Sequence, residues 1–118
     1  MDEAVERLRE ELAGAGIEVV GDLDLTPFTG GEGAYRVLMA VDRELLELAA
    51  EANRGAAALA VLEISIYEQD GLTRVDAIEP EKAAGQIRDP AVNDRGLELR
   101  KRFIRIVKGL ERSASRAG

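Results

Sequence analysis

From residue 60 to 80 the chain reads AVLEISIYEQDGLTRVDAIEP, two alternating runs rich in β-branched residues that meet at Gln69-Asp70-Gly71. Asp-Gly accepts the backbone of a tight turn, and between two alternating runs it is among the strongest local signals for a β-hairpin. The two strands are expected at about 59–67 and 72–78. A hairpin is antiparallel by construction, so any larger sheet built on it is biased toward antiparallel pairing.

The rest of the chain falls into segments of suitable length around this hairpin. Residues 2–13 predict a helix, with Val5, Leu8 and Leu12 on one stripe, Asp2 as its cap, and Gly14 or Gly16 supplying the left-handed residue that ends it. Residues 17–23 (IEVVGDL) predict a strand, and residues 34–41 predict a second. In the second, Tyr35, Val37, Met39 and Val41 share one face, and Arg36 and Leu38 share the other. Asp42 is placed to cap a helix over 43–53, with Leu45, Leu48, Ala49 and Ala52 inward and Asn53-Arg54-Gly55 closing it. Residues 81–93 form a polar connection containing Pro90. Asp94 then caps a last helix over 95–112, built on Leu99, Phe103, Ile106, Val107 and Leu110, and residues 113–118 fray. The expected fold class is α+β: one domain over 1–118, a four-stranded antiparallel sheet with helices packed on one face, in the order α-β-β-α-β-β-α.

Composition removes much chemistry. The 118 residues include no Cys and no His, which excludes disulfides, thiol nucleophiles, thiolate or imidazole metal sites and serine or cysteine triads. No Asp-rich calcium loop is present, so no metal, cofactor or catalytic residue is assigned. The acidic start has no apolar leader and the longest apolar run, 56–62, is too short to span a bilayer; a cytoplasmic protein without membrane contact is expected. Net charge is −7 but uneven: residues 1–94 hold 8 basic and 21 acidic groups (−13), and residues 95–118 hold 8 basic and 2 acidic (+6). Lys101, Arg105, Lys108 and Arg112 form a basic stripe on the last helix. Complementing the helix dipole and solvating an outer face account for it. Nucleic acid is disfavoured because the body repels phosphate and no aromatic residues interleave the stripe.

Two glycine motifs attract attention and neither makes a site. Gly14-Ala15-Gly16 follows a helix rather than a strand and lacks a third glycine, which suits a helix end and not a dinucleotide loop. Thr29-Gly30-Gly31-Glu32-Gly33 lacks the Lys-Ser/Thr of a phosphate loop and runs into a strand, so it is read as a mobile connection.

Helices on one side of a sheet leave the other side open. Alternation assigns Val37, Met39, Leu62, Ile64, Ile66, Val75 and Ala77 to the helix-covered face. It assigns Val20, Arg36, Leu38, Val61, Glu63, Ser65, Tyr67, Arg74, Asp76 and Ile78 to the open face. That mixture of apolar, charged and hydroxyl groups suits an interface or a ligand pocket. Arg36, Glu63, Ser65, Tyr67, Arg74 and Asp76 are its candidate contact residues. Glu63 interrupts an apolar strand; it is expected to pair with Arg36 or Arg74 across strands, or to contact a ligand.

Three blocks carry a family resemblance: Gly16-Ile17-Glu18-Val19 with Leu23-Asp24; Tyr35-Arg36-Val37-Leu38 with Asp42 opening a helix; and Ile64-Ser65-Ile66-Tyr67-Glu68, Asp70-Gly71 and Val75-Asp76-Ala77-Ile78-Glu79-Pro80. In order and spacing the chain resembles the domain-of-unknown-function family numbered 302, small bacterial and archaeal α/β domains. The resemblance implies the fold and dimerisation and no settled activity. The chain departs from the pattern in starting at the helix, where family members usually have a strand first. It also has Met39-Ala40-Val41 and Val61-Leu62-Glu63 where many members carry cysteines. An uncovered sheet edge favours association.

The expectation is therefore a non-enzymatic homodimer whose open face serves self-association or a small ligand. One alternative is an enzyme with Glu63 or Asp76 as general base and Arg36 or Arg74 holding an anionic substrate. The other is an adaptor that binds a protein partner through its basic helix.

Overall fold

The computed structural model describes residues 1–30, 33–77 and 85–117, with side chains through Leu110. Helix α1 is Asp2–Gly14, strand β1 is Ile17–Asp24, β2 is Tyr35–Asp42, helix α2 is Arg43–Ala52, β3 is Leu62–Gln69, β4 is Leu72–Ala77, and helix α3 is Pro90–Ala117. Short 3-10 turns occupy Thr26–Phe28 and Arg54–Ala60. The four strands form one antiparallel sheet in the order β1-β2-β3-β4. The expected order α-β-β-α-β-β-α is the order observed.

The Asp-Gly turn accounts for the hairpin. Asp70 (φ 53°) and Gly71 (φ 76°) both take left-handed backbone, and Gln69 pairs directly with Leu72. That is the signature of a type I′ turn, whose twist matches that of the strands it joins. Strand β3 starts at Leu62 rather than near 59, because residues 54–60 wind as a 3-10 turn. Asn53 ends α2 in an extended conformation (φ −161°), not a left-handed one. Ile78, residues 79–84 and Gly31-Glu32 lie outside the described residues.

The three described helices cover one face. Ile17, Leu38, Ala40, Leu62, Ile64, Ile66 and Val75 from the sheet meet Val5, Leu8 and Leu12 of α1, Leu45 and Ala49 of α2, and Val92, Leu99, Phe103, Ile106 and Leu110 of α3 in one core. With two Phe and no Trp in the chain, that core is almost wholly aliphatic.

The assignment of β2 to the two faces is a correction. Leu38 and Ala40 face the helices, and Val37 and Met39 face away. Directly opposed residues of an antiparallel pair share a face. Leu38 pairs with Ile64 and Ala40 with Leu62, both buried, whereas Met39 pairs with Glu63 and Val37 with Ser65. Arg36, opposite Ile66, therefore belongs to the helix-covered side as well.

Two helix starts also differ from expectation. Met1, not Asp2, sits at the N-cap of α1, and no side chain caps it. Helix α3 begins at Pro90 rather than after Asp94: the Asp89 carboxylate accepts from the Val92 amide at 3.1 Å. Proline suits the first helical position because its missing N–H has no helical partner there. The helical backbone continues to Ala117, through residues expected to fray. Gly16, at φ 79°, ends α1 as expected.

Asp42 ties these parts together. It ends β2, lies 4% exposed, and caps α2 by accepting from the Leu45 amide at 2.9 Å. Arg95 of α3 donates to both its oxygens, Nε and Nη2 each at 2.9 Å, and also meets Glu44 and Glu98 at 3.0 Å. Burial pushes the Asp42 carboxyl up, but the hydrogen bonds from Arg95 and Leu45 and the Arg95 charge outweigh it, so its pKa lies below the ordinary value.

Asp42→Asn keeps a capping oxygen and removes the charge. It is expected to lower stability by about 2–4 kcal/mol at neutral pH, measured by urea unfolding. A carboxyl with a depressed folded pKa stabilises above its unfolded value, near 3.9, and loses that contribution as pH falls through the folded value. The gap between wild type and Asp42→Asn should therefore narrow below about pH 4. Gly71→Ala, forced into left-handed backbone, should cost about 1 kcal/mol in the same assay.

Candidate functional site

The open face can be read row by row from the strand register. The first row is Tyr35, Tyr67 and Arg74; the second is Leu23, Val37, Ser65 and Asp76; the third is Gly21, Met39 and Glu63; and Glu18 with Val41 begins the fourth. A register shift between Val19 and Gly21 returns β1 to step and leaves Val20 59% exposed. Leu23 is 49% exposed, and Val37, Met39 and Val41 are half-buried by their neighbours. Charged groups ring this apolar centre: Glu63, Arg74 and Asp76 on the β3–β4 side, and Glu18 with Arg43, 3.5 Å apart, at the opposite corner.

At one end the two tyrosine rings stack, with centroids 5.1 Å apart and planes 15° from parallel. Their residues are a directly opposed pair, which puts the rings side by side above the sheet. The Tyr67 hydroxyl donates to Asp76 Oδ2 at 2.7 Å. That bond to the carboxylate, with a smaller contribution from burial, raises the Tyr67 pKa above its usual value.

Five of the six candidate contact residues, Glu63, Ser65, Tyr67, Arg74 and Asp76, thus share the open face, and Arg36 does not. Among the described residues neither Glu63 nor Arg74 forms an ion pair. Arg36 lies on the other side, against α1. It donates through Nε to Asp22 Oδ1 at 3.1 Å, through Nη2 to Asp22 Oδ2, and through Nη1 to Asp2 at 3.1 Å. Arg9 adds a bond to Asp22 at 3.0 Å. The Arg36 hydrogen bonds hold the Asp22 carboxyl below its usual range against the opposing effect of burial. A cleft of about 350 Å³ opens beside this cluster, lined by Met1, Asp2, Asp22, Asp24, Thr26, Ala34 and Arg36. Its guanidinium is already engaged by two carboxylates, and three acidic residues line the cleft, so it is poorly suited to an anion. A general base at Glu63 acting with Arg36 does not form, because the two lie on opposite faces.

The start of the loop after β1 is held by local hydrogen bonds. Asp24 accepts from the Thr26 amide at 3.0 Å, and the Thr26 hydroxyl accepts from the Tyr35 amide at 3.0 Å. These bonds pin the 3-10 turn next to the first row, and Phe28 at its end is 82% exposed. On α3, Lys101, Arg105 and Lys108 are exposed, and the Arg112 side chain lies outside the described residues. Arg105 lines a second cleft, of about 580 Å³, together with Glu10, Glu11 and Arg102. Arg102 donates to the Ala15 carbonyl at 3.0 Å, joining α3 to the end of α1.

The family model described as "Domain of unknown function DUF302" matches residues 1–110. The chain belongs to this family. A solved structure, the crystal structure of an uncharacterized conserved DUF302 protein from Bacillus stearothermophilus, superposes with a TM-score of 0.76 at 20% identity. The match covers 92% of this chain and 88% of that one. At that identity the likeness is one of fold. No curated protein matches. Among the described residues no helix is long and apolar enough to cross a membrane.

Sequence reasoning passed over Tyr35 as a member of the open face, because the parity of β2 was inverted. The signal was present: Asp42 caps a helix that must lie on the covered side, and it is in step with Leu38 and Ala40. With two tyrosines in the chain, the ionisation of Tyr67 can be followed by absorbance. Asp76→Asn should move the Tyr67 transition to lower pH and leave the sheet intact by circular dichroism.

Proposed function

We propose that this DUF302 domain is a non-enzymatic association module that works as a homodimer through the open face of its sheet. The observation that carries this is the apolar centre of Val20, Leu23, Val37, Met39 and Val41 on a face that none of the three described helices covers. An antiparallel sheet can tolerate one solvated face, but such a face is normally polar along every strand. Here apolar side chains hold the centre and charges the rim, which is the anatomy of a protein interface. Four strands at about 4.8 Å, each presenting about seven residues at about 3.4 Å, give a projected face of about 450 Å². Side-chain relief makes the accessible area larger than the projection, approaching the low end of a standard interface at about 600–800 Å² per partner.

A small ligand is the second occupant this face favours, on the Tyr35–Tyr67 stack beside Ser65 and Asp76. A stacked aromatic pair with a hydroxyl held by a carboxylate offers a planar contact and a fixed polar group.

Light scattering after size exclusion is expected to give the mass of two chains at micromolar concentration. The double variant Leu23→Glu/Met39→Glu, which places charge at the centre of the face and touches no core residue, should give the mass of one chain with unchanged circular dichroism. A wild-type monomer at tens of micromolar would overturn the dimer. In that case, a rise of several degrees in unfolding temperature with one compound from a panel of nucleotides, organic acids and cations would assign the face to that ligand.

A further inference from the structure

We propose that two copies are held in register by a reciprocal ion pair, Arg74 of each with Glu63 of the other. This rests on the reading that the open face self-associates, and it specifies how. Among the described residues the open face carries three charged groups away from the Glu18–Arg43 corner, Glu63, Arg74 and Asp76, and one of them is already occupied. Asp76 holds the Tyr67 hydroxyl at 2.7 Å, and Glu18 lies 3.5 Å from Arg43. Glu63 and Arg74 remain, opposite in sign and both exposed, with no ion pair among the described residues.

They do not reach each other within one chain. Arg74 lies in the Tyr35–Tyr67 row and Glu63 in the Met39 row, two same-face rows apart on adjacent strands. Rows on one face are separated by about 6.8 Å and strands by about 4.8 Å, which puts their backbones about 14 Å apart. A second copy removes the gap. A two-fold interface brings the same patch of each subunit together, so every contact between two different residues is made twice. A two-fold axis across the strands, near the Leu23–Val37–Ser65–Asp76 row, lays the Tyr35–Tyr67–Arg74 row of one copy over the Met39–Glu63 row of the other. Arg74 then stands one strand to the side of Glu63 across packed sheets about 10 Å apart, a span that an arginine and a glutamate side chain can bridge together. The same placement sets each tyrosine stack against the partner's Met39, an aromatic–thioether contact. The two copies of Asp76 come near the axis only at β4, an edge strand, where water screens them and each is held by its own Tyr67.

Charge reversal tests the pairing. Glu63→Arg and Arg74→Glu, each alone, put like charges together twice per dimer and should weaken association by about tenfold or more. The combined Glu63→Arg/Arg74→Glu variant restores both pairs with signs exchanged and should return the dissociation constant to within a few-fold of wild type. Sedimentation equilibrium reads all four proteins, and circular dichroism checks that each is folded. A wild-type dimer whose single reversals associate normally, or whose double reversal fails to recover, overturns the ion pair and leaves the dimer standing. A monomeric wild type overturns the self-association on which the pairing rests.

Discussion

The Asp42 carboxylate is the point on which the geometry turns. It is the last residue of β2, the cap of α2 and the receptor of Arg95 from α3. A buried carboxylate is costly unless its oxygens are filled, and here a backbone amide and a bidentate guanidinium fill them. Because Asp42 must lie on the side where α2 and α3 pack, the residues in step with it, Ala40 and Leu38, face the same way. The residues out of step, Val41, Met39, Val37 and Tyr35, face out. One polar group thus decides which half of β2 becomes core and which half becomes the surface that has to be explained.

This is also where the sequence was most and least legible. The Asp70-Gly71 turn, the Val5-Leu8-Leu12 stripe and the alternation of β3 are local signals, each readable within a few residues, and they set the fold class. The parity of β2 was not local. Its outward positions, Tyr35, Val37, Met39 and Val41, are as apolar as its inward ones, so alternation had no contrast to act on. Only the link from Asp42 to the helices breaks the tie, and half of that link, Arg95, lies 53 residues away. The start of α3 was missed for another reason. Pro90 reads as a breaker, but preceded by Asp89 it opens a helix.

The same ambiguity in β2 explains the candidate site. A strand apolar on both faces is expected where both faces are covered. Here the described helices account for one covering only. Belonging to the DUF302 family does not supply the other, and a shared fold at 20% identity transfers no site. What the face could bind therefore has to be argued from its own side chains, and Tyr35, which joins Tyr67 only once the parity is right, becomes central to it.

The charges around Arg36 and those on the open face of the sheet behave differently. Around Arg36 every strong charge is answered within the chain: Asp22 takes three hydrogen bonds from two arginines, and Asp2 takes the remaining arm of Arg36. Such a cluster fastens α1 to the sheet edge and has little capacity left for a ligand. On the open face the polar groups surround exposed hydrocarbon, and Glu63 and Arg74 form no ion pair among the described residues, at a separation that the sheet itself fixes. Neighbouring charges on a flexible surface could relax toward each other. These two cannot, because β3 and β4 are locked in register by a two-residue turn. In the proposed dimer these two exposed, oppositely charged residues orient the copy that lies over Leu23, Val37 and Met39, by presenting Arg74 to a negative group and Glu63 to a positive one. A second copy of the same face meets both requirements.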